Sequence, residues 1–116
     1  MFPYILSLSD PHADLAAAGG KGASLARLTQ AGLPVPGGFH ITTTAYNRFV
    51  AANALLPHIL AALKDIDPLQ PGTLETASAE INRLFTSANI PAPLVDAILQ
   101  AYAALPGKVP AVAVRS

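Results

Sequence analysis

The residues best suited to chemistry in this chain form one short glycine-rich stretch, Gly19-Gly20-Lys21-Gly22. Glycines let the backbone approach a ligand closely, and the start of a following helix offers free N–H groups and the positive end of its dipole. Lys21 adds a mobile positive charge, so the stretch is suited to phosphate oxygens. Spacing alone leaves open the plainer interpretation, a flexible turn that leads into a helix with an exposed lysine.

Two familiar phosphate-binding motifs do not account for this stretch. A Walker A loop would need glycine in place of Leu15 and serine or threonine in place of Gly22. The dinucleotide-binding pattern that starts at Gly20 fails at its last position, which is Leu25. The sequence therefore indicates an anion site of another kind.

Arg115 is the second candidate for anion binding. It follows the apolar run 111–114, which we predict to be a strand, and a guanidinium there could bind an anion through two parallel hydrogen bonds. A solvated arginine at the end of the chain is the alternative. His12, His40 and His58 are not spaced with one another or with carboxylates as metal ligands are, so no metal site and no catalytic residue are predicted.

The composition narrows the class of protein. Of the 116 residues, 52% are apolar and only 12% are charged, which excludes intrinsic disorder. Seven basic and seven acidic residues give a net charge of zero, so nucleic-acid binding is not expected. No apolar run is long enough to span a membrane and no signal peptide is recognised, so we expect a cytoplasmic protein.

The high apolar content also predicts exposed hydrophobic surface. A chain of this length buries only about two-thirds of the area that its unfolded form exposes. We therefore expect residues 1–116 to be a single domain fragment, the leading part of a longer protein whose remaining domains cover that surface. Self-association through the same surface is expected when those domains are absent.

The elements predicted from the pattern define a helix-rich α/β (α+β) fold with a small sheet. Strands are expected near residues 4–8, 38–41 and 111–115, and Gly32 should end the helix that follows the glycine-rich stretch. Thr42 or Thr43 should cap the next helix. The apolar faces of the later helices are read from residues at helical spacing, which are Tyr46, Phe49 and Val50; Leu56, Ile59, Leu60 and Leu63; Leu74, Ala77, Ile81, Leu84 and Phe85; and Leu94, Ile98, Tyr102 and Leu105.

Several spaced motifs carry a resemblance to a known family. The stretch from Gly19 to Leu25 is followed by Ala-Gly-Leu-Pro-Val-Pro-Gly-Gly-Phe over 31–39, by Ile-Thr-Thr over 41–43, and by Val-Ala-Val-Arg-Ser over 112–116. In this order they resemble the N-terminal nucleotide-binding region of the phosphoenolpyruvate-utilising phosphotransferases. That family includes phosphoenolpyruvate synthase, pyruvate phosphate dikinase and rifampicin phosphotransferase. Between residues 47 and 110 the likeness is limited to helical character.

The resemblance implies the first part of an ATP-grasp domain. It assigns the contacts with the ATP phosphates to Lys21 and Arg115, and the backbone room beside those phosphates to Gly20 and Gly22. In the family, a phosphoryl group passes from ATP to a histidine on a mobile domain and then to pyruvate or another acceptor. The Mg²⁺ ligands, the adenine contacts, the carrier histidine and the acceptor site are expected outside this chain, so the chain alone should be inactive and should bind ATP weakly at best.

Two other functions stay open at this point. A rifampicin phosphotransferase type of antibiotic kinase carries the same N-terminal motifs as the phosphoenolpyruvate synthase type. A non-catalytic module that pairs with a partner protein through its apolar surface is the second alternative.

Overall fold

The computed structural model describes residues 3–116, and its elements separate into two compact units. The first unit contains the described residues up to Asn47 together with Ala92–Ser116, and the second contains Arg48–Pro91. Helices dominate both units, and the only strands among the described residues form a two-stranded antiparallel sheet. The predicted helix-rich α+β class is confirmed.

The sheet of the first unit pairs β1 (Ile5–Ser7) with β2 (Phe39–Ile41). The register places Leu6 opposite His40, and both side chains are buried on the same face. The helix α1 (Leu15–Gln30) covers this face through small residues, with Ala13 and Ala26 packed beside Leu6 in the core. Alanines permit the helix to approach the sheet closely, which explains part of the alanine content of the chain.

Both ends of α1 follow from side-chain and backbone chemistry. Asp14 is the N-cap, since its Oδ1 accepts a hydrogen bond from the N–H of Ala17 at 2.9 Å. At the other end, the N–H of Gly32 donates to the carbonyl of Thr29 and Gly32 has a φ of 80°, which favours glycine. The predicted end of this helix at Gly32 is confirmed.

The third predicted strand, near residues 111–115, is wrong. Residues 104–116 contain no helix or strand, and residues 111–116 are exposed. A strand is held by hydrogen bonds to a neighbouring strand, and the described part of the sheet consists of β1 and β2 alone. An apolar run therefore did not suffice to make a strand here.

The first unit is completed by α5 (Ala92–Ala103), which contacts β1 and buries Leu94. Pro93 lies in the first turn of this helix, as its missing N–H favours. Beyond the helix, the hydroxyl of Tyr102 donates to the carbonyl of Pro110 at 2.6 Å. This bond fixes part of the segment that leads to Arg115.

The division between the units falls within α2 (Thr43–Ala52), and the second unit continues with α3 (Leu55–Leu63) and α4 (Pro71–Ser87). Two contacts organise this unit: α3 packs on α4, and the rings of Phe49 and Phe85 lie with their centroids 5.6 Å apart. The side chain of Asn53 donates to the carbonyl of Asn89 at 2.8 Å and accepts from its N–H at 3.2 Å.

The apolar face predicted for α3 is partly wrong. Leu55 is the buried leucine of this helix, whereas Leu56, Leu60 and Leu63 are exposed. The run Leu55-Leu56 offers two overlapping helical stripes, and packing against α4 selects the one that begins at Leu55. Tyr46, predicted to face inward on α2, is also mostly exposed.

Candidate functional site

The glycine-rich stretch lies inside α1 and bends it. Gly19 has a φ of 73° and a ψ of 177°, so the backbone leaves the helical path at this residue and resumes it immediately afterwards. No atom lies within 4 Å of the position that a Cβ on Gly19 would occupy, so glycine is required here by the backbone conformation and not by lack of space. The second part of the helix, residues 20–30, thus begins anew at the kink.

Lys21 lies at the start of this second part and is exposed. Within residues 3–116 its side chain makes no hydrogen bond or ion pair, so its ammonium group is available to a ligand. A Cβ on the preceding Gly20 would meet only Leu15 Cδ1, at 3.9 Å, which leaves the surface beside Lys21 open. The N-terminal end of residues 20–30, a lysine and an open surface together suit an anion.

Gly22 has a packing role that the sequence did not reveal. A Cβ at this position would lie 2.9 Å from Ala18 Cβ and 3.2 Å from His40 Nδ1. The absent side chain therefore makes room for His40, which is buried and whose Nε2 lies 3.4 Å from the carbonyl oxygen of Leu8. His40 joins the glycine-rich part of α1 to the sheet. A histidine on a short strand gave no sequence signal for this contact.

Arg115 lies in the exposed terminal segment of the first unit. No hydrogen bond or ion pair of its side chain is found within the described part of the chain. Among residues 3–116, both predicted cations are exposed and unpaired, and no contact joins Lys21 to Arg115. Their joint use by one ligand remains a prediction.

The other ionisable groups described in the first unit include one close pair and no metal centre. His12 and Asp10 make an exposed pair in which Nδ1 and Oδ1 are 3.0 Å apart. The N–H of His12 also donates to this carboxylate at 2.8 Å, and this bond in particular holds the pKa of Asp10 below its usual value. From residue 3 to residue 116, no three histidine, cysteine, aspartate or glutamate residues are grouped to hold a metal ion.

The grooves of the second unit contain none of the predicted site residues. One groove of about 530 Å³ is lined mainly by apolar residues of α4, such as Leu74, Ile81 and Phe85. The other, of about 720 Å³, includes Asp65 and Glu80 in its lining. In the same unit, Arg83 donates two hydrogen bonds to Glu80, which lower the pKa of that carboxyl. Two acidic residues make this second groove a poor receptor for phosphate.

Comparison with known proteins decides the family. The model of the family described as "Pyruvate phosphate dikinase, AMP/ATP-binding domain" matches residues 15–116. This chain belongs to that family. The match begins at the first residue of α1, includes both Lys21 and Arg115, and extends through residues 47–110, where the motifs were weakest. The resemblance inferred from the motifs is confirmed.

Individual relatives from this family are similar over most of the chain. A probable phosphoenolpyruvate synthase of Methanothermobacter thermautotrophicus is 40% identical over 92 residues, covering 79% of this chain and 14% of the relative. A phosphoenolpyruvate synthase of Deinococcus radiodurans is 40% identical over 107 residues, or 89% of this chain and 14% of the relative. A rifampicin phosphotransferase of Streptomyces sviceus is 39% identical over 115 residues, or 97% of this chain and 13% of the relative. The chain thus spans about one-seventh of the length of these relatives.

Within residues 3–116, none of the helices combines the length and the apolar character that crossing a bilayer requires.

Proposed function

We propose that this chain binds ATP through its phosphates at the kink of α1. The observation that carries the proposal is the exposed, unpaired Lys21 at the restart of the helix, in a chain of the AMP/ATP-binding domain family. Lys21 supplies a positive charge, and the N–H groups of the following turn supply hydrogen-bond donors. Gly20 leaves the backbone accessible, and Arg115 provides the second cation.

We further propose that the chain serves a phosphotransferase of the phosphoenolpyruvate synthase type. The relatives at 40% identity with this name support that reading. In this proposal residues 1–116 are a single domain fragment, which forms the first part of an ATP-grasp domain. ATP and the remaining domains of the enzyme are its partners, and the cytoplasm is its location. Cations around the phosphates would stabilise charge on the transferring phosphoryl group, which moves from ATP through a phosphohistidine to pyruvate.

The described residues do not fit a Mg²⁺ site beside Lys21. Mg²⁺ prefers carboxylate and other oxygen ligands, and α1 contains no acidic residue. We therefore place the Mg²⁺ ligands outside this chain, and no step of the proposal depends on the ion here. The carrier histidine is likewise placed elsewhere, so the chain itself is expected to transfer no phosphoryl group.

The exposed leucines and valines support a role for other domains as partners. Many large apolar side chains are exposed, and Leu69, Val109 and Val114 are each about 90% exposed. Burial against further domains would remove this surface from water. Self-association of the chain alone rests on the same residues and remains a prediction.

Isothermal titration calorimetry with ATP tests the proposed site. Replacement of Lys21 or Arg115 by alanine removes one charged hydrogen-bond donor, and such donors contribute about 1.5–3 kcal/mol. We expect each variant to bind ATP at least ~10-fold more weakly than the wild type. Lys64→Ala, which removes an exposed lysine of the second unit, is the matched control and should bind as the wild type does.

Three outcomes separate the candidate functions. Wild-type affinity in both the Lys21 and the Arg115 variants would refute the site assignment. No ATP binding by the whole protein that carries this chain would favour the non-catalytic module instead. The rifampicin phosphotransferase type is the second enzymatic candidate because of the relative that is 39% identical over 97% of this chain. ATP-dependent phosphorylation of rifampicin and not of pyruvate, by the protein that carries this chain, would select it.

A further inference from the structure

The junction between β2 and α2 contains two consecutive threonines with different partners. The hydroxyl of Thr42 donates to the carbonyl of Pro3 at 2.8 Å, and its Oγ1 accepts from the N–H of Ala45 at 3.4 Å. Thr42 is therefore the buried N-cap of α2. The hydroxyl of Thr43 instead donates to the carbonyl of Ala16 at 2.7 Å, across 27 residues of sequence.

The hydrogen bond from Thr43 matters because its acceptor, Ala16, lies three residues before the kink of α1 at Gly19. In a regular helix the carbonyl of Ala16 would accept from the N–H of Gly20. Gly19 lies within that span, and its φ of 73° takes the backbone out of the helical path there. The hydroxyl of Thr43 provides this carbonyl with a well-placed donor from outside the helix.

The same bond holds the first turn of α1 in place relative to β2. On one side of the kink, Thr43 holds the carbonyl of Ala16. On the other side, Gly22 packs closely against His40 of β2. The glycine-rich turn is thus held at both ends by residues from the β2–α2 segment, and Lys21 lies between the two attachments.

We propose that Thr43 is a positioning residue for the anion site at the kink. This inference rests on the proposed ATP binding at Lys21. Thr43 acts by orienting the turn and needs no contact with the ligand. Because Thr43 is exposed, water can replace its hydroxyl at the Ala16 carbonyl, so its loss should change the geometry of the turn more than the stability of the fold.

The test compares Thr43→Val with Thr43→Ser by calorimetry with ATP. Valine keeps the shape of threonine and removes the hydroxyl, and a net hydrogen bond of about 0.5–1.5 kcal/mol corresponds to affinity about 2-fold to 10-fold weaker. Serine keeps the hydroxyl and should restore affinity to within about 2-fold of the wild type. Thr76→Val is the matched control, since Thr76 bonds only to Gly72 within its own helix.

Amide hydrogen exchange measured by NMR supplies a readout that needs no ligand. In Thr43→Val the amides of residues 19–22 should exchange faster than in the wild type. The melting temperature of Thr43→Val should be no lower than that of the Thr76→Val control. Should Thr43→Val fail to fold, Thr43→Ala is measured in its place, since alanine removes the hydroxyl without a β-branched side chain.

The outcomes distinguish this inference from the proposed function. If the wild type does not bind ATP, the proposed function fails and the exchange rates alone decide the role of Thr43. If the wild type binds ATP and Thr43→Val binds equally with unchanged exchange, the positioning role is overturned while the proposed function stands. Failure of Thr43→Ser to restore affinity would also overturn it, because the hydroxyl would not be the group responsible.

Discussion

Replacement of Gly22 by alanine should leave the protein less stable than replacement of Gly20 by alanine, although glycine to alanine usually stabilises a helix. Gly22 is helical and has no positive φ, so the backbone conformation accepts alanine. The added Cβ would lie 2.9 Å from Ala18 Cβ and 3.2 Å from His40 Nδ1. Carbon atoms pack best about 3.5–4.0 Å apart, so at least one neighbour has to move by roughly half an ångström or more.

The expected size follows from two opposed effects. Glycine to alanine in a helix interior favours folding by about 1 kcal/mol. Overpacking of a close contact costs about 1–3 kcal/mol. Gly20→Ala is the matched control, since its Cβ would meet only Leu15 Cδ1 at an ordinary 3.9 Å. We therefore expect the free energy of unfolding of Gly22→Ala to lie about 1–3 kcal/mol below that of Gly20→Ala.

Urea unfolding followed by circular dichroism measures this difference. The assignment of the contact to His40 is checked by a double-mutant cycle with His40→Ala, in which the cost of Gly22→Ala should shrink because one of its two neighbours is removed. Equal stability of Gly22→Ala and Gly20→Ala would refute the reasoning. The reasoning would also be refuted if Gly22→Ala changed the free energy of unfolding by the same amount in the His40→Ala background, where Ala18 is retained.

Two further predictions concern a strained residue and a titrating carboxylate. Ala54 precedes α3 with a φ of 49°, so Ala54→Gly should raise the free energy of unfolding by about 0.5–1 kcal/mol in urea unfolding, and no gain would contradict the strain. The pKa of Asp10 in the folded protein is lowered, mainly by the hydrogen bond from the N–H of His12. The ionised carboxylate therefore stabilises the fold above the ordinary pKa of 3.8, and this stabilisation is lost as the pH falls through the lowered pKa. Below pH 3.8 the stability of the wild type should therefore fall more steeply with decreasing pH than that of Asp10→Asn, and identical slopes would contradict this.

Local signals in the sequence were enough for most of the helices and for β1 and β2. Gly32 marked the end of α1 because a positive φ suits glycine. The strand near 111–115 failed because a strand depends on a partner, and an apolar run within one segment contains no information about that partner. The burial of Leu55 in place of Leu56 likewise depends on where α4 packs.

The candidate site was predictable in its residue types and not in its geometry. Glycines beside Lys21 predicted an anion site, but their spacing did not show the kink that the structure places at Gly19. Nothing in the spacing showed that Gly22 makes room for His40 or that Thr43 bonds to the other arm of the kink, since both contacts join residues far apart in sequence. Such long-range contacts are set by tertiary packing and are invisible to local patterns.

The central claim is that the phosphates of ATP bind at the kink of α1. It is tested most directly by the amide chemical shifts of the ¹⁵N-labelled chain during titration with ATP, with inorganic triphosphate and adenosine as comparisons. We predict that ATP and triphosphate shift the amides of residues 19–24 most strongly and that adenosine leaves them unchanged. No shift at residues 19–24, or larger shifts in Arg48–Pro91 than at the kink, would contradict the claim.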